Sequence, residues 1–153
     1  MGGFGVESEI GLLRKVLLHK PDLELQRLTP SNVDELLFDE IMWVDRAQAE
    51  HEAFAGVLRG RGVEVHELAD LLADCMALEP ARKELLDRVV TVDMFGKGLC
   101  AELREWFDSL PPAELVRYLI GGVIPEDLPF APEGLVGASF HPTTFVLPPL
   151  PNQ

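Results

Sequence analysis

The sequence predicts an α/β fold interrupted by a block of successive helices. Three observations carry that expectation: a strand, helix, strand order up to Leu68, a run of helical stretches from Glu67 to Gly121, and a proline-rich stretch beyond Gly122. With 153 residues, 47% hydrophobic and 25% charged, the chain has the composition of a globular domain with a real core.

A buried first strand is expected at Leu13 to His19, a short run of branched aliphatics closed by Pro21. A helical turn is expected near Val33 to Leu37, where Ser31 and Asp34 are spaced as a capping box. From Asp45 to Arg59 the apolar residues Ala47, Phe54, Val57 and Leu58 share one face of an amphipathic helix that ends near Gly60 and Gly62. Val63 to Leu68 alternates valine with polar residues and reads as a second strand. Strand, helix, strand is the grammar of an α/β unit.

Helices are then expected at Glu67 to Leu78, Pro80 to Val90, Lys97 to Leu110 and Pro112 to Ile120. Pro80 and Pro112 suit helix starts, and Gly121 with Gly122 stops the last. Beyond them lie Pro125, Pro129, Pro132, Pro142, Pro148, Pro149 and Pro151, so this stretch reads as extended loop, with one strand at Thr143 to Leu147. The expected division is therefore 1–68, a helical block at 69–122, and a loop with a return strand at 123–153.

Charge and motif narrow the function. Thirteen basic residues against 26 acidic ones give a net charge of −13, which repels phosphate backbones and anionic lipid, so neither nucleic acid nor membrane is an expected partner. No apolar run reaches membrane-spanning length and the start carries no secretory signal, so a cytoplasmic location is expected. Cys75 and Cys100 have no metal-ligand spacing; each lies among helical leucines and is expected as a reduced core residue. His19, His51, His66 and His141 form no metal motif. Trp43 and Trp106 read as core, and Asp34, Glu35, Asp39 and Glu40 as a solvated acidic face.

Several segments, in order, resemble the opening of arginine deiminases: GVESEIGLLRKVLLHKP at Gly5 to Pro21, RLTPSNVDELLFDEIMWVDRAQAEH at Arg27 to His51, RGVEV at Arg61 to Val65, YLIGGV at Tyr118 to Val123, and FVLPPLPN at Phe145 to Asn152. The resemblance covers nearly the whole chain and less than half of a typical family member. It implies one module of an α/β propeller of the pentein type with an inserted helical bundle, the ring being incomplete. It also implies a reaction, L-arginine and water to L-citrulline and ammonia, with arginine as substrate and neither cofactor nor metal. Family members continue after PPLPN with Phe-Thr-Arg-Asp, whose Asp binds the guanidinium. Later they supply a Glu, a His with a neighbouring Asp, and a nucleophilic Cys near the far end. A delocalised guanidinium needs a thiolate to attack its carbon, carboxylates to hold the cation and an acid for departing ammonia. The family passes through an amidino-thioether that water resolves.

Two positions match family substrate contacts. Leu37 corresponds to a residue whose backbone meets the bound amino acid, and Asn152 to an asparagine that holds its amino-acid end. Their bland readings are a hydrophobic loop anchor and a turn residue after proline. Two functions are expected to compete: the N-terminal portion of an arginine deiminase, inactive by itself, or a non-catalytic binding or self-associating module derived from one. Unpaired strands and open apolar faces favour marginal stability or a homo-oligomer.

Overall fold

The computed structural model describes residues 5, 8, 10–34, 39–130 and 145–150. Strand β1 (Lys15–Leu18) pairs in parallel with β2 (Glu64–Glu67), in the register Lys15↔Glu64 to Leu18↔Glu67. Parallel strands need a long crossover, and helix α2 (Val44–Gly60) supplies it. Strand β1, expected to be buried, alternates: Val16 and Leu18 are half-buried and Lys15 and Leu17 exposed, whereas in β2, expected to alternate, Glu64 is exposed and Val65, His66 and Glu67 are all half-buried. His51 of α2 donates through Nε2 to Glu67 Oε1 at 2.9 Å, which places α2 against the half-buried face.

The face of α2 that packs is only in part the expected one. Val44, Ala47, Gln48, His51, Ala55 and Leu58 turn inward at helical spacing, while Phe54 and Val57 remain 54% and 56% exposed. The inward residues span an arc of about 100° that meets both the sheet and the Leu25 and Leu28 cluster, on which Val44 and Ala47 pack, and Phe54 and Val57 fall outside it. Trp43, expected in the core, is 71% exposed. It occupies the N-cap of α2 in extended backbone, before the inward face begins.

A four-residue helix, α1 (Leu23–Gln26), follows β1 and was not expected; so short an element carries too little periodicity to read. Asn32 holds the turn after it, in place of the expected Ser31 box: its Oδ1 accepts from Thr29 N at 2.8 Å and its Nδ2 donates to Arg27 O at 3.0 Å. Residues 30–34 form turns, and the rest of the expected Val33 to Leu37 helix lies outside the described residues.

The helical block matches its expectation closely. It comprises α3 (Leu68–Met76), α4 (Glu79–Val89), α5 (Val92–Ser109) and α6 (Pro112–Gly121). Helix α5 starts earlier than expected, because Thr91 Oγ1 accepts from Met94 N at 3.4 Å and caps it. Gly96 then breaks it with φ 70°, so the stretch from Lys97 is its second part. Phe107, Leu86, Leu103 and Leu115 are fully buried at the centre, joined by Phe95, Leu99, Val116 and Leu119. Arg82 of α4 donates through Nη2 to the carbonyls of Phe107, Asp108 and Leu110, setting a cation on the negative end of α5.

Cys75, expected among the core leucines, is exposed. Helix α3 buries Met76 and half-buries Leu68, Leu72 and Ala73, and Cys75 lies about 100° round from Met76. Cys100 meets its expectation: it is half-buried, and its thiol donates weakly to Val90 O at 3.6 Å. Both thiols are free. Trp106 packs on the core between Phe107 and Tyr118, each ring centroid 5.0 Å away.

Gly121 lets α1 approach α6, since a Cβ there would lie 2.5 Å from Leu23 Cβ. Gly122 follows with φ 78° and ends the helix. Val123 then forms an antiparallel bridge with Leu147. Of the strand expected at Thr143 to Leu147, the described residues 145–147 show only this isolated bridge. A 3-10 turn, Pro125–Asp127, completes the described elements. Among the described residues no helix is long and apolar enough to cross a membrane.

This packing separates two phenylalanines that look alike in sequence. Phe107→Ala should lower the free energy of unfolding by about 3 to 5 kcal/mol, and Phe54→Ala by about 0.5 kcal/mol or less, as read from urea denaturation of each variant.

Candidate functional site

The two positions singled out by resemblance, Leu37 and Asn152, lie outside the described residues, as do Glu35 and His141. The structure does show what holds the segments leading to them. Arg27 follows α1 and is 8% exposed at its side chain. Its Nη1 donates to Gly121 O at 3.3 Å and to Gly122 O, and its Nη2 donates to Asp127 Oδ2 at 2.6 Å. Asp127 Oδ2 also accepts from Ile124 N at 2.8 Å. A planar fork with fixed donors suits this set of carbonyls and carboxylate. Burial pulls the Arg27 guanidinium below its ordinary pKa, and the facing Asp127 carboxylate opposes that shift.

Around this pair the backbone is closely tied. Val123 N donates to Leu147 O at 2.8 Å, while Val146 N and Leu147 N donate to Val123 O at 2.7 and 3.2 Å. Phe145 packs against Leu25 and Leu28, the small cluster under α1. Sequence reading missed Arg27 and Asp127. The available signal was an arginine set between Leu25 and Leu28, which mark a buried turn; nothing in a proline-rich loop marks Asp127.

A second polar pair joins β1 to α1. His19 Nε2 donates to Glu24 Oε1 at 2.8 Å, and Glu24 Oε1 also accepts from Asp22 N at 3.0 Å. The Glu24 side chain is 5% exposed. The bond to Glu24 raises the His19 pKa above its ordinary 6.5, with burial opposing. Burial would raise the Glu24 pKa, but the bonds from His19 and the Asp22 N–H outweigh it and bring the carboxyl below 4.5.

These two residues line a cavity of about 220 Å³ with Asp22, Asp70 and Arg117, where Ala69 and Ala73 leave room between α1, α3 and α6. Its charges are mixed, and Asp22 Oδ2 already accepts from Arg117 Nε at 3.2 Å. Neither cysteine lines it. The described histidines are not brought together: His19 pairs with Glu24, His51 with Glu67, and His66 with Glu64 at 2.8 Å. Among the described residues no cluster of His, Cys, Asp or Glu could hold a metal ion. Asp34, Asp39 and Glu40 are exposed, as expected of a solvated face.

The family model for arginine deiminase matches residues 34–153. Among curated proteins the chain is 46% identical to an arginine deiminase of Mycolicibacterium gilvum, over 97% of this chain and 38% of that protein. It is 47% identical to one from Rhodococcus opacus and 45% identical to one from Rhodococcus erythropolis, in each case over 97% of this chain and 37% of the relative. The chain thus spans under two-fifths of the length of these relatives.

The His19–Glu24 pair makes stability depend on pH in a definite sense. A raised histidine pKa contributes stability that is complete below 6.5 and is lost as pH rises through the folded value. A lowered glutamate pKa contributes stability present above 4.5 and lost as pH falls through the folded value. The pair therefore contributes most between 4.5 and 6.5. His19→Gln should lose the most stability relative to the parent in that window, and the difference should shrink from pH 6.5 to 8, measured by urea denaturation across pH; a difference that grows toward pH 8 contradicts it.

Proposed function

The chain belongs to the arginine deiminase family, and on that premise we propose that it supplies the part of an arginine-hydrolysing site that grips the amino-acid end of the substrate. The observation that carries this reading is the identity of about 46% along 97% of the chain. The family match at 34–153 takes in both Leu37 and Asn152. In this reading the Leu37 backbone and the Asn152 side chain meet the α-amino and carboxylate groups. The guanidinium is held and attacked by groups from elsewhere in a complete enzyme.

The same reading makes 1–68 and 123–153 one module of an α/β propeller, with 69–122 as a helical insertion, in a cytoplasmic protein. The parallel pair β1 and β2 with its crossover α2 supports the module, and the run of four successive helices α3 to α6, whose core also takes in Val123, Val146 and Leu147, supports the insertion. We further propose that these 153 residues by themselves do not turn arginine over. Attack on a guanidinium carbon needs a thiolate in a cationic, substrate-facing setting. Cys75 lies exposed on α3, and Cys100 spends its proton on Val90 O within α5 packing.

A second reading, self-association as a non-catalytic module, is favoured by exposed Leu12, Leu17, Trp43, Phe54 and Val57 beside a sheet of two strands. Such a face is a candidate interface. The charge of −13 opposes it at low salt.

A chimera decides the first reading. Replacing the aligned 151 residues of the Mycolicibacterium gilvum arginine deiminase by this chain should give citrulline from arginine, with activity retained in Cys75→Ala and Cys100→Ala. The isolated chain should give none. A well-folded chimera without turnover, or turnover by the isolated chain, defeats the proposal. For the second reading, light scattering coupled to size exclusion should find a dimer or larger species that grows with concentration and salt; a monomer throughout removes it.

A further inference from the structure

We infer that the cavity between α1, α3 and α6 is a binding site for a small zwitterion, an α-amino acid with an aliphatic side chain. It does not depend on arginine turnover. The cavity lies beyond the carboxyl ends of the parallel strands. His19 follows β1, whose last residue pairs with Glu67 at the end of β2, and Ala69 and Asp70 stand in the first turn of α3 directly after it. Units of α/β type open their ligand crevices on that side of a parallel sheet. At about 220 Å³ the space exceeds several waters, each with a share of about 30 Å³. It also falls short of the roughly 300 Å³ at which sites for drug-sized ligands begin, so a small metabolite fits.

The lining carries a particular balance of charge. Glu24 pairs with His19 at 2.8 Å and Asp22 with Arg117 at 3.2 Å. That leaves Lys20 and Asp70 with no ion-pair partner among the described residues. Both are exposed. One cation and one anion match the carboxylate and the ammonium of a zwitterion, whereas a ligand of single charge would leave one of them unanswered.

Two buried polar atoms of the lining residues point the same way. Glu24 Oε2, on a side chain 5% exposed, and His19 Nδ1 have no hydrogen-bond partner among the described residues. A buried carboxylate oxygen is costly to leave without a donor, and an ammonium supplies one. His19 Nδ1 offers a lone pair in the neutral ring and an N–H in the imidazolium, so one end of a zwitterion satisfies it in either state. The rest of the wall is apolar, formed by Leu23, Ala73, Val116 and Ile120. An aliphatic side chain gains from burial there, and a basic one would lose its hydration.

The test titrates L-leucine into the isotopically labelled 153-residue chain and follows its amide resonances. Shifts should appear at Glu24, Ala73 and Arg117 and not at Glu84 or Arg88, with a dissociation constant at or below about 1 mM. Isopentylamine and 4-methylpentanoate, which keep the side chain and one charge each, should bind about tenfold more weakly or worse. Asp70→Asn and Lys20→Met should each weaken binding about threefold or more without moving the Tm. Ala73→Leu fills the cavity and should abolish binding while the resonances of Leu103 and Phe107 stay in place. Should that variant unfold, the two exposed substitutions and the analogues still decide. The inference is overturned by an absence of shifts at about 20 mM L-leucine, by equal affinity for either single-charge analogue, or by tighter binding of L-arginine. Binding unaffected by both Asp70→Asn and Lys20→Met overturns it as well.

Discussion

A guanidinium buried at the end of α6 sets the relation between the small sheet's side of the chain and the helical block. Arg27 could reach Gly122 only because α1 lies against α6 more closely than any side chain at position 121 would permit. The contact is therefore doubly specified, by an absent Cβ and by a fork of donors. Burying that charge costs several kcal/mol before its partners are counted. Two carbonyls and a carboxylate offset the cost, and they do so only in one arrangement of the loop from Gly121 to Asp127.

The helical block rests on a different kind of constraint. Its core is apolar and closely packed, with one cation, Arg82, spent on the open carbonyls at the end of α5. Contacts of this type are local in sequence and tolerate substitution by residues of similar volume. Geometry is held differently at the two ends of the described structure: by bulk among α3 to α6, by directional bonds around Arg27. Directional bonds fix an angle as well as a distance, because a hydrogen bond weakens steeply with angle.

Sequence reading located the elements whose information is periodic. Both strands, α2 and the helices of the block follow from spacing and from Pro80, Pro112 and Gly122. It failed where a single residue or a neighbour decides. Helix α1 is too short to show a period, and the early start of α5 depends on one cap, Thr91. The inward face of α2 was only partly foreseen, because its sequence specifies a wide apolar stripe and its neighbours, the sheet and the Leu25 and Leu28 cluster, determine which part is covered. Cys75 was misplaced for a related reason, since being near leucines in sequence does not fix which side of a helix meets a partner, and Trp43 because it falls at the N-cap of α2, before the packed face begins. The pairings of Arg27 and His19 depend on partners that are either far away in the chain, as Asp127 is, or oriented by a turn, as Glu24 is. The junction at Arg27 was invisible to spacing alone, and Leu37 and Asn152 were reached only through resemblance.

The exposed apolar residues give the division of labour a physical basis. Leu17 stands on the open face of the sheet at 55% exposure, and Phe54 and Val57 overhang its other side. Lying on opposite sides of the sheet, they do not form one patch. In the reading as a propeller module, neighbouring strands would meet this small sheet at its edges. By contrast, the Arg27 junction is already satisfied from within the chain. The open sheet and the Arg27 junction are thus separate, so a strand that paired with the sheet need not disturb the geometry at Arg27.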